Sequence, residues 1–579
     1  MAGQYEAVIP DLFLTPDERE NPDTRIDEGK PPGVAWTEGN HVRPIVHGAP
    51  YLAELHERIE ALGDGDLLYF VDWRGDPDQL LTDDPGSSVS ATFSAAARRG
   101  AEVRGLLWRS HWHRFGFHSQ KSRLLGIEID EAGGQCLRDM RVRTGGSHHQ
   151  KFVLLRHRDD PGRDIAYLGG IDLCHGRRDS IAHEGDPQRI AMPQVFGARP
   201  PWHDVQVAIQ GPAVADVETT FRERWEDSTP LTLNPGRLAS SLLQGEDLQP
   251  QPLSPQNPPP PKVGEMTSGG GATASDAGAT ASEAVQIVRT YPSILPKGYD
   301  FAPRGERSIA HANTKAVAHA RHLIYLEDQY LWSEEVGRHF GEALRANPQL
   351  RLIAVIPMVP DVDGAVSLPP QLYGRKLAMD LLLEAGGDRV AVYGLTSDAG
   401  YPIYVHAKVC VIDDVWSSVG SDNFNRRSWS SDSEIACAVQ APRVGGLDEP
   451  APRDSFARRL RRELVAEHTG LDPQDVPDDA DELWDLMAQR ADALDEWYAS
   501  GAGPRGRRHL PRPKGPMKGT SVRWRRRSGA WSGADGVERP PGRLRRLSPP
   551  ELSRAQMLWA PRLYDAFDPD GTILRDDAI

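Results

Sequence analysis

Cysteine is scarce in this chain. The 579 residues contain four, Cys136, Cys174, Cys410 and Cys437, all far apart. That spacing excludes a zinc ribbon and a disulfide scaffold, and it points to a reducing compartment. Long apolar runs are missing too. Mean hydropathy is −0.51, and no stretch approaches the roughly 18 consecutive apolar residues of a membrane span. The opening "MAGQYEAVIPDLFLTPDERE" has no basic start leading into an apolar core, so a secretory signal is not expected. Basic charge is in deficit. There are 67 Lys and Arg against 83 Asp and Glu, a net charge of −16. A nucleic-acid coat protein carries the opposite balance. The expectation is a cytoplasmic monomer, at most peripheral to a membrane, with no nucleic-acid partner.

What is present suits a globular protein with a substantial core. Apolar residues make up 39% and charged residues 26%, and the length allows two to four domains. Residues 234–284 are rich in Pro, then in Gly, Ala and Ser. They read as a linker or disordered loop. The regions on either side, 1–233 and 285–470, resemble each other. "DLLYFVDW" follows an amphipathic helix in the first, and "HLIYLEDQY" follows one in the second. A second strand comes next in each, "AEVRGLLW" and "LRLIAVIP". Each half then reaches a histidine–lysine stretch, "HHQKFVLL" and "VHAKVCVIDD". From Tyr69 to His149 is 80 positions, and from Tyr325 to His406 is 81. Strands alternating with helices predict parallel βαβ units. The fold class expected is α/β: two similar halves, each a β-sheet flanked by helices, plus a mostly irregular extension over 471–579. That extension holds an acidic helix, with Leu483, Leu486, Met487, Leu494 and Trp497 as its apolar stripe, and a basic, Pro- and Gly-rich tail. The tail, with Trp524 and Trp531 interleaved, reads as a solvated segment; an anionic lipid surface is its alternative contact.

The chemistry concentrates in the second half. His406, Lys408 and Asp413 form H-x-K-x-x-x-x-D. Two residues apart on a strand, His406 and Lys408 share a face, so a phosphate would meet imidazole and ammonium together. "GSDNFNRRSWSSDSEIA" follows, with Gly420, Ser421, Asn423 and Glu434. The turn offers N–H groups, a hydroxyl and an amide to phosphate oxygens. Glu434 is placed to hold the imidazole of His406 by its other nitrogen. In the first half His149 and Lys151 repeat the spacing, with His148 and Gln150 facing away. "YLGGIDLCHGRRD" supplies Gly170 and Asp172, and Asp172 stands where the second half has Asn423. "PWHDV" supplies Trp202, His203 and Asp204. Trp108, Trp202 and Trp225 read as packing residues. Glu327, Gln329 and Tyr330 end a strand and either serve the pocket or cap it. His111, His113 and His118 in "HWHRFGFHSQ" lack an acidic or cysteine partner nearby, so they read as a loop at the substrate mouth, not a metal site.

The duplicated H-x-K, "GGIDL", "PWHDV", "IYLEDQY", "GSDNFNRRS…DSE" and "EHTG" together resemble the phospholipase D superfamily, and most of all its eukaryotic-type branch. The resemblance covers about residues 40–470. It implies two halves packed about a pseudo-twofold axis and a phosphodiesterase without a cofactor or metal, in which lysines supply the positive charge. His149 would attack phosphorus and form a phosphohistidine. His406 would protonate the leaving alcohol and then activate water. Lys151, Lys408 and Asn423 would hold the non-bridging oxygens, with Ser421, Gly170 and Asp172 completing the phosphate site. Asp204 would orient His149, with Asp179 as runner-up. One departure stands out: the family's first motif has an Asp seven residues after the histidine, and here that position is Arg156, with Asp159 or Asp160 as candidate substitutes. The expected reaction cleaves the head-group phosphodiester of a glycerophospholipid at a membrane surface, with water or a small alcohol as acceptor. The alternatives are a cardiolipin synthase-like transfer, a nuclease, or a catalytically weakened lipid-binding homologue.

Overall fold

The computed structural model of the chain describes residues 12–110, 118–232, 234–243, 246–263, 283–294, 297–362, 364, 366–441, 452–500 and 540–568. The first half contributes β1 (Thr37–Val46), β2 (Leu67–Asp72), β3 (Glu102–Trp108), β4 (Gln135–Asp139), β5 (Phe152–Arg156), β6 (Ile165–Gly169), β7 (Trp202–His203) and β8 (Val205–Gln210). The second contributes β9 (Glu283–Tyr291), β10 (Glu306–Arg307), β11 (Leu323–Glu327), β12 (Arg351–Val355), β13 (Val390–Thr396), β14 (Pro402–Val405), β15 (Val409–Ile412), β16 (Trp416–Gly420) and β17 (Glu434–Gln440). A later strand, β18 (Leu544–Arg546), adds to the edge at β13.

The halves match strand for strand. The first sheet runs β1-β8-β6-β5-β2-β3-β4. The second runs β9-β17-β16-β15-β11-β12-β13. Only the last three strands of each are parallel. The sheets are therefore mixed, not the parallel βαβ arrays expected from the alternation. The cause is connection length: residues 157–164 and 413–415 are too short for a crossover, so β5–β6 and β15–β16 are hairpins.

Alternation along the strands places the sheets face to face. On β2, Leu67, Tyr69 and Val71 point into a core shared by both halves, while Leu68 and Phe70 meet the outer helices. On β17, Ile435, Cys437 and Val439 enter the same shared core, and Ala436 and Ala438 face the other helical layer. A strand buried on both faces needs this unbroken apolar run. Two pairings stitch the halves together. β1 lies against β9, with Thr37 opposite Val285. β7 runs parallel to β14, with Trp202 opposite Tyr404 and His203 opposite Val405.

The 234–284 region is partly structured. Pro235–Leu243 is a helix, and residues 246–263 lie along the first half. There Gln251 O accepts the indole N–H of Trp225, and Pro258 O accepts from Arg156. The acidic helix spans Ala480–Ala499, capped by Asp479, with Leu483, Met487, Ala491 and Leu494 buried. The basic tail with Trp524 and Trp531 lies outside the described residues, as do His111 and His113. Among the described residues no helix is long and apolar enough to cross a membrane.

Candidate active site

Each histidine of the two motifs sits just ahead of a hairpin strand, His149 before β5 and His406 between β14 and β15. Backbone hydrogen bonds anchor both to the opposite half. His149 N–H donates to Ser433 O at 2.9 Å, and His406 N–H donates to His203 O at 2.7 Å. The side chains follow the backbone across the interface. His149 Nδ1 lies 2.9 and 3.0 Å from the oxygens of Glu434, and His406 Nδ1 lies 2.7 Å from Asp204 Oδ2.

This pairing is the reverse of the expected one. Glu434 orients His149, not His406, and Asp204 orients His406, not His149. The two acids occupy equivalent places, at the head of β17 and one residue ahead of β8. Because the sheets pack face to face, each strand head lands against the other half's histidine. Asp179, the runner-up, is spent on a loop: it accepts backbone N–H groups from Ser180, Gly185 and Trp202.

With Nδ1 committed, each ring has Nε2 left for chemistry. The lysines stand alongside. Lys151 donates to His149 O at 2.9 Å and lies 3.6 Å from Asp172. Lys408 donates to His406 O and to Gln329 Oε1. Charges from both halves act on one another here. Burial, reinforced by Lys408 and Arg177 and further by Lys151, holds His406 well below the usual imidazole range. Burial also brings Lys408 down to about 8. Asp172 and Asp72 form a carboxyl pair. Burial and the neighbouring Asp172 raise Asp72 well above the carboxylate range, whereas Lys151 and Arg177 overcome burial and keep Asp172 ionised.

The phosphate-site expectations need correction at three of four positions. Ser421 donates its hydroxyl to Glu434 at 2.5 Å, and Ser428 adds a second at 2.8 Å. Ser421 thus fixes the carboxylate that fixes His149. Gly170 gives its N–H to Val205 O; a Cβ there would fall 2.1 Å from Asp204 Oδ1, so the glycine makes room for the acid. Asp172 neutralises Lys151 and Arg177. The turn's N–H groups are used internally as well: Gly420 on Lys408 O, Ser421 on Ile435 O and Asn423 on Ser428 Oγ. Asn423 is left open: its Oδ1 is buried without a hydrogen-bond partner, but that atom is an acceptor, so only Nδ2 could donate to a phosphate oxygen.

Several participants escaped sequence reasoning. Arg177 lies over the Trp202 ring at 4.0 Å and pairs with Asp172 at 3.2 Å. Trp202 packs, as expected, and one of the rings it packs near is that of His406, with centroids 5.0 Å apart. Trp73 meets His149 edge-on at 6.2 Å. The run "CHGRRD" directly after "GGIDL" was the available signal for Arg177. His148 does turn away, toward Asp139 and Gln150.

Comparison with known proteins now bears on these geometric facts. Residues 125–247 match the family model described as phospholipase D, and residues 316–447 match the one described as cardiolipin synthase, PLD-like domain. The first match spans His149 and Lys151, and the second spans His406 and Lys408. Both matches support a phospholipase D-superfamily assignment for the two motif-bearing stretches. It is 27% identical to phospholipase D gamma 2 of Arabidopsis thaliana over 496 residues, which is 68% of this chain and 55% of that protein. It is 28% identical to phospholipase D alpha 1 of Cynara cardunculus over 454 residues, or 62% and 54%. The chain thus spans about half the length of the curated relatives it matches. Among solved structures, the phosphatidylserine synthase of Haemophilus influenzae Rd KW20 aligns with a TM-score of 0.46 at 11% identity, covering 80% of this chain and 93% of that one.

Within the superfamily motif, the acid at the end of H-x-K-x-x-x-x-D is not at the reacting centre. Asp413 lies in the β15–β16 turn, where its carboxylate accepts N–H groups of Arg321, His322 and Leu323 at 2.7–2.8 Å. It caps the start of β11. Seven residues of extended chain put it roughly 20 Å or more from His406. Arg156 occupies the matching end of β5. It is fully buried and paired with Asp164 at 2.6 Å and Glu218 at 2.5 Å. Asp159 does not substitute: its carboxylate side chain is 85% exposed beside Arg158. The departure at Arg156 therefore swaps one strand-end anchor for another, far from the imidazoles.

Proposed function

We propose that the chain is a phospholipase D-type phosphodiesterase that cleaves the head-group ester of glycerophospholipids to phosphatidate at a membrane surface. The observation that carries this reading is the crossed pair: two imidazoles, each with Nδ1 held by a carboxylate from the opposite half, beside two lysines. Displacement at a phosphodiester needs a nucleophile and a proton donor on opposite sides of phosphorus. Two facing motifs supply one each. His149 Nε2 forms a bond to phosphorus as the P–O bond to the head group breaks. His406 gives that oxygen its proton. Burial is the main cause of the low His406 value and the cations add to it; an anionic phosphate arriving beside Lys151 and Lys408 offsets the cations' part and so favours the protonated ring. His406 then takes a proton from water, which displaces His149 and releases phosphatidate. A small alcohol in place of water would give transphosphatidylation. The lysines and Asn423 hold the non-bridging oxygens.

The test is turnover of phosphatidylcholine vesicles with and without a primary alcohol. Free choline and phosphatidate are expected, with a phosphatidyl alcohol when alcohol is present. His149→Asn and His406→Asn should each abolish release, and acid quenching should trap label on His149. Vesicle binding without choline release, or full activity in His149→Asn, would overturn the proposal.

A further inference from the structure

A second cluster of imidazoles lies behind the candidate active site. Four chain segments converge there. His47 joins β1 to the helix Gly48–Glu60, His183 lies in a loop, His203 ends β7, and Glu467 is in the last turn of the helix Phe456–Thr469. All three histidines are at most 3% exposed. Three ring nitrogens point at one carboxylate: His47 Nε2 at 3.0 Å, His183 Nε2 at 2.8 Å and His203 Nδ1 at 3.3 Å. The donor atoms of the four side chains all lie within 4.8 Å of one another.

Hydrogen-bond accounting shows what this arrangement lacks. His183 Nδ1 is 3.2 Å from Trp202 O, and a carbonyl only accepts, so the proton is on Nδ1. His203 Nε2 is 2.7 Å from Glu327 Oε2, so its proton is on Nε2. Each neutral ring then directs a lone pair at Glu467, which also offers only lone pairs. His47 Nδ1 has no partner, and Nε2 lies 3.0 Å from Glu467 without hydrogen-bond geometry. Either extra protons fill the gap, making two or three imidazolium ions around one carboxylate with Arg543 3.5 Å away, or a single cation does.

We infer that His47, His183, His203 and Glu467 form a binding site for a divalent transition-metal ion of the zinc class. Three imidazoles and one carboxylate are a donor set that zinc takes in four-coordination. For His183 and His203 the outer shell is the kind metal-bound imidazoles have, with the far nitrogen donating to a carbonyl or carboxylate; Nδ1 of His47 has no such partner. Glu327 is itself fixed by His468 at 2.7 Å and Tyr325 at 2.6 Å. A route in exists, because a cavity of about 1010 Å³ has His47, Glu467 and Arg543 in its wall. The ion would be a positioning element. His203 O receives the N–H of His406, and Asp204 O receives that of His47. Clamping His47 to His203 therefore fixes the segment that carries Asp204 and the second active-site imidazole.

The experiment uses tag-free, full-length protein stripped with a chelator and then titrated with cobalt(II) or zinc(II) alone. One equivalent should bind. Cobalt should give the intense visible bands of a four-coordinate site, and zinc should discharge them. His47→Ala and Glu467→Gln, checked for folding by circular dichroism, should lose the cobalt bands. Glu327→Gln should weaken binding by about 10- to 100-fold, the usual effect of losing an outer-shell partner. The inference is overturned if the folded wild-type chain takes up neither metal. It is equally overturned if folded His47→Ala and Glu467→Gln keep wild-type stoichiometry and affinity.

Discussion

Replacing Glu434 by Gln preserves volume and changes one acceptor oxygen into a donor. The site gives that change a calculable effect. Glu434 is fully buried, and three donors converge on its two oxygens: His149 Nδ1 at 2.9 Å, Ser421 Oγ at 2.5 Å and Ser428 Oγ at 2.8 Å. A glutamine has one acceptor oxygen to offer. Both hydroxyls can rotate to other partners, but the ring cannot. A hydrogen bond to a charged acceptor contributes about 1.5–3 kcal/mol, which is roughly 10- to 150-fold in rate at 1.36 kcal/mol per decade. If the amide NH2 faces Nδ1, the ring must also change tautomer, and Nε2 gains the proton that blocks attack. The same replacement behind the histidine of a serine-protease triad lowers turnover about 10⁴-fold for that reason. The expectation is a fall in kcat of roughly 10-fold to 10⁴-fold, the upper end if the tautomer changes, with KM within a few-fold, because Glu434 lies behind the ring and away from the substrate.

The informative assay separates the two half-reactions. Rapid acid quench with labelled phosphatidylcholine reads phosphohistidine formation, and ¹⁵N-histidine NMR reads the tautomer of each ring. Glu434→Gln should slow formation of the intermediate and shift the His149 resonances alone. Asp204→Asn should shift those of His406 alone and impair both leaving-group protonation and water activation. If Glu434→Gln disturbs His406 and spares His149, the crossed pairing is refuted. If the intermediate forms at the wild-type rate, the orienting role is refuted.

Other outcomes follow from the same geometry. Lys408 titrates near 8, so the free protein loses this positive charge as pH rises through that value. Inorganic phosphate affinity, measured by calorimetry, should fall above about pH 8, and Lys408→Arg should carry the binding to higher pH because guanidinium stays charged. Asp413→Ala leaves three backbone N–H groups without their acceptor; urea unfolding should show a loss of about 1–3 kcal/mol, with kcat per folded molecule unchanged. Arg156→Met strands the buried carboxylates of Asp164 and Glu218. It should cost about 3–5 kcal/mol in the same measurement without affecting phosphate binding.

The chemistry was legible in the sequence because it depends on residue type at short range. A histidine and a lysine two apart, twice, at nearly equal distances from matching strands, identify both motifs and the duplication. The carboxylate assignment was not legible. Glu434 lies 28 positions after His406 and Asp204 lies 55 after His149, so sequence proximity favours the wrong partner in both cases. Only the packing of one sheet on the other brings residues 285 and 202 positions apart into hydrogen bonds. Ser421 shows a second limit. A hydroxyl in a turn before a buried acid can face a ligand or the acid, and local spacing does not distinguish them. Arg156 shows a third: its meaning rests on Asp164 and Glu218, and Glu218 comes from a helix the strand meets only after folding.

The crossing has a mechanistic consequence. Were each histidine oriented by its own half, each half would be a complete unit, and loosening the interface would reduce only the encounter between them. With the acids exchanged, separating the halves takes Glu434 from His149 and Asp204 from His406 in the same motion. Both rings lose tautomer control together, and each carboxylate keeps only the donors of its own half, Ser421 and Ser428 on Glu434 and Trp202 and Val205 on Asp204. The shared core of Leu67, Val207, Val419 and Ile435 is thereby coupled to the protonation state of both imidazoles. A cavity made there, for example Val419→Ala, should lower stability by about 0.5–1.5 kcal/mol or more. If it opens the interface, the losses of His149 and His406 function should appear together, never singly.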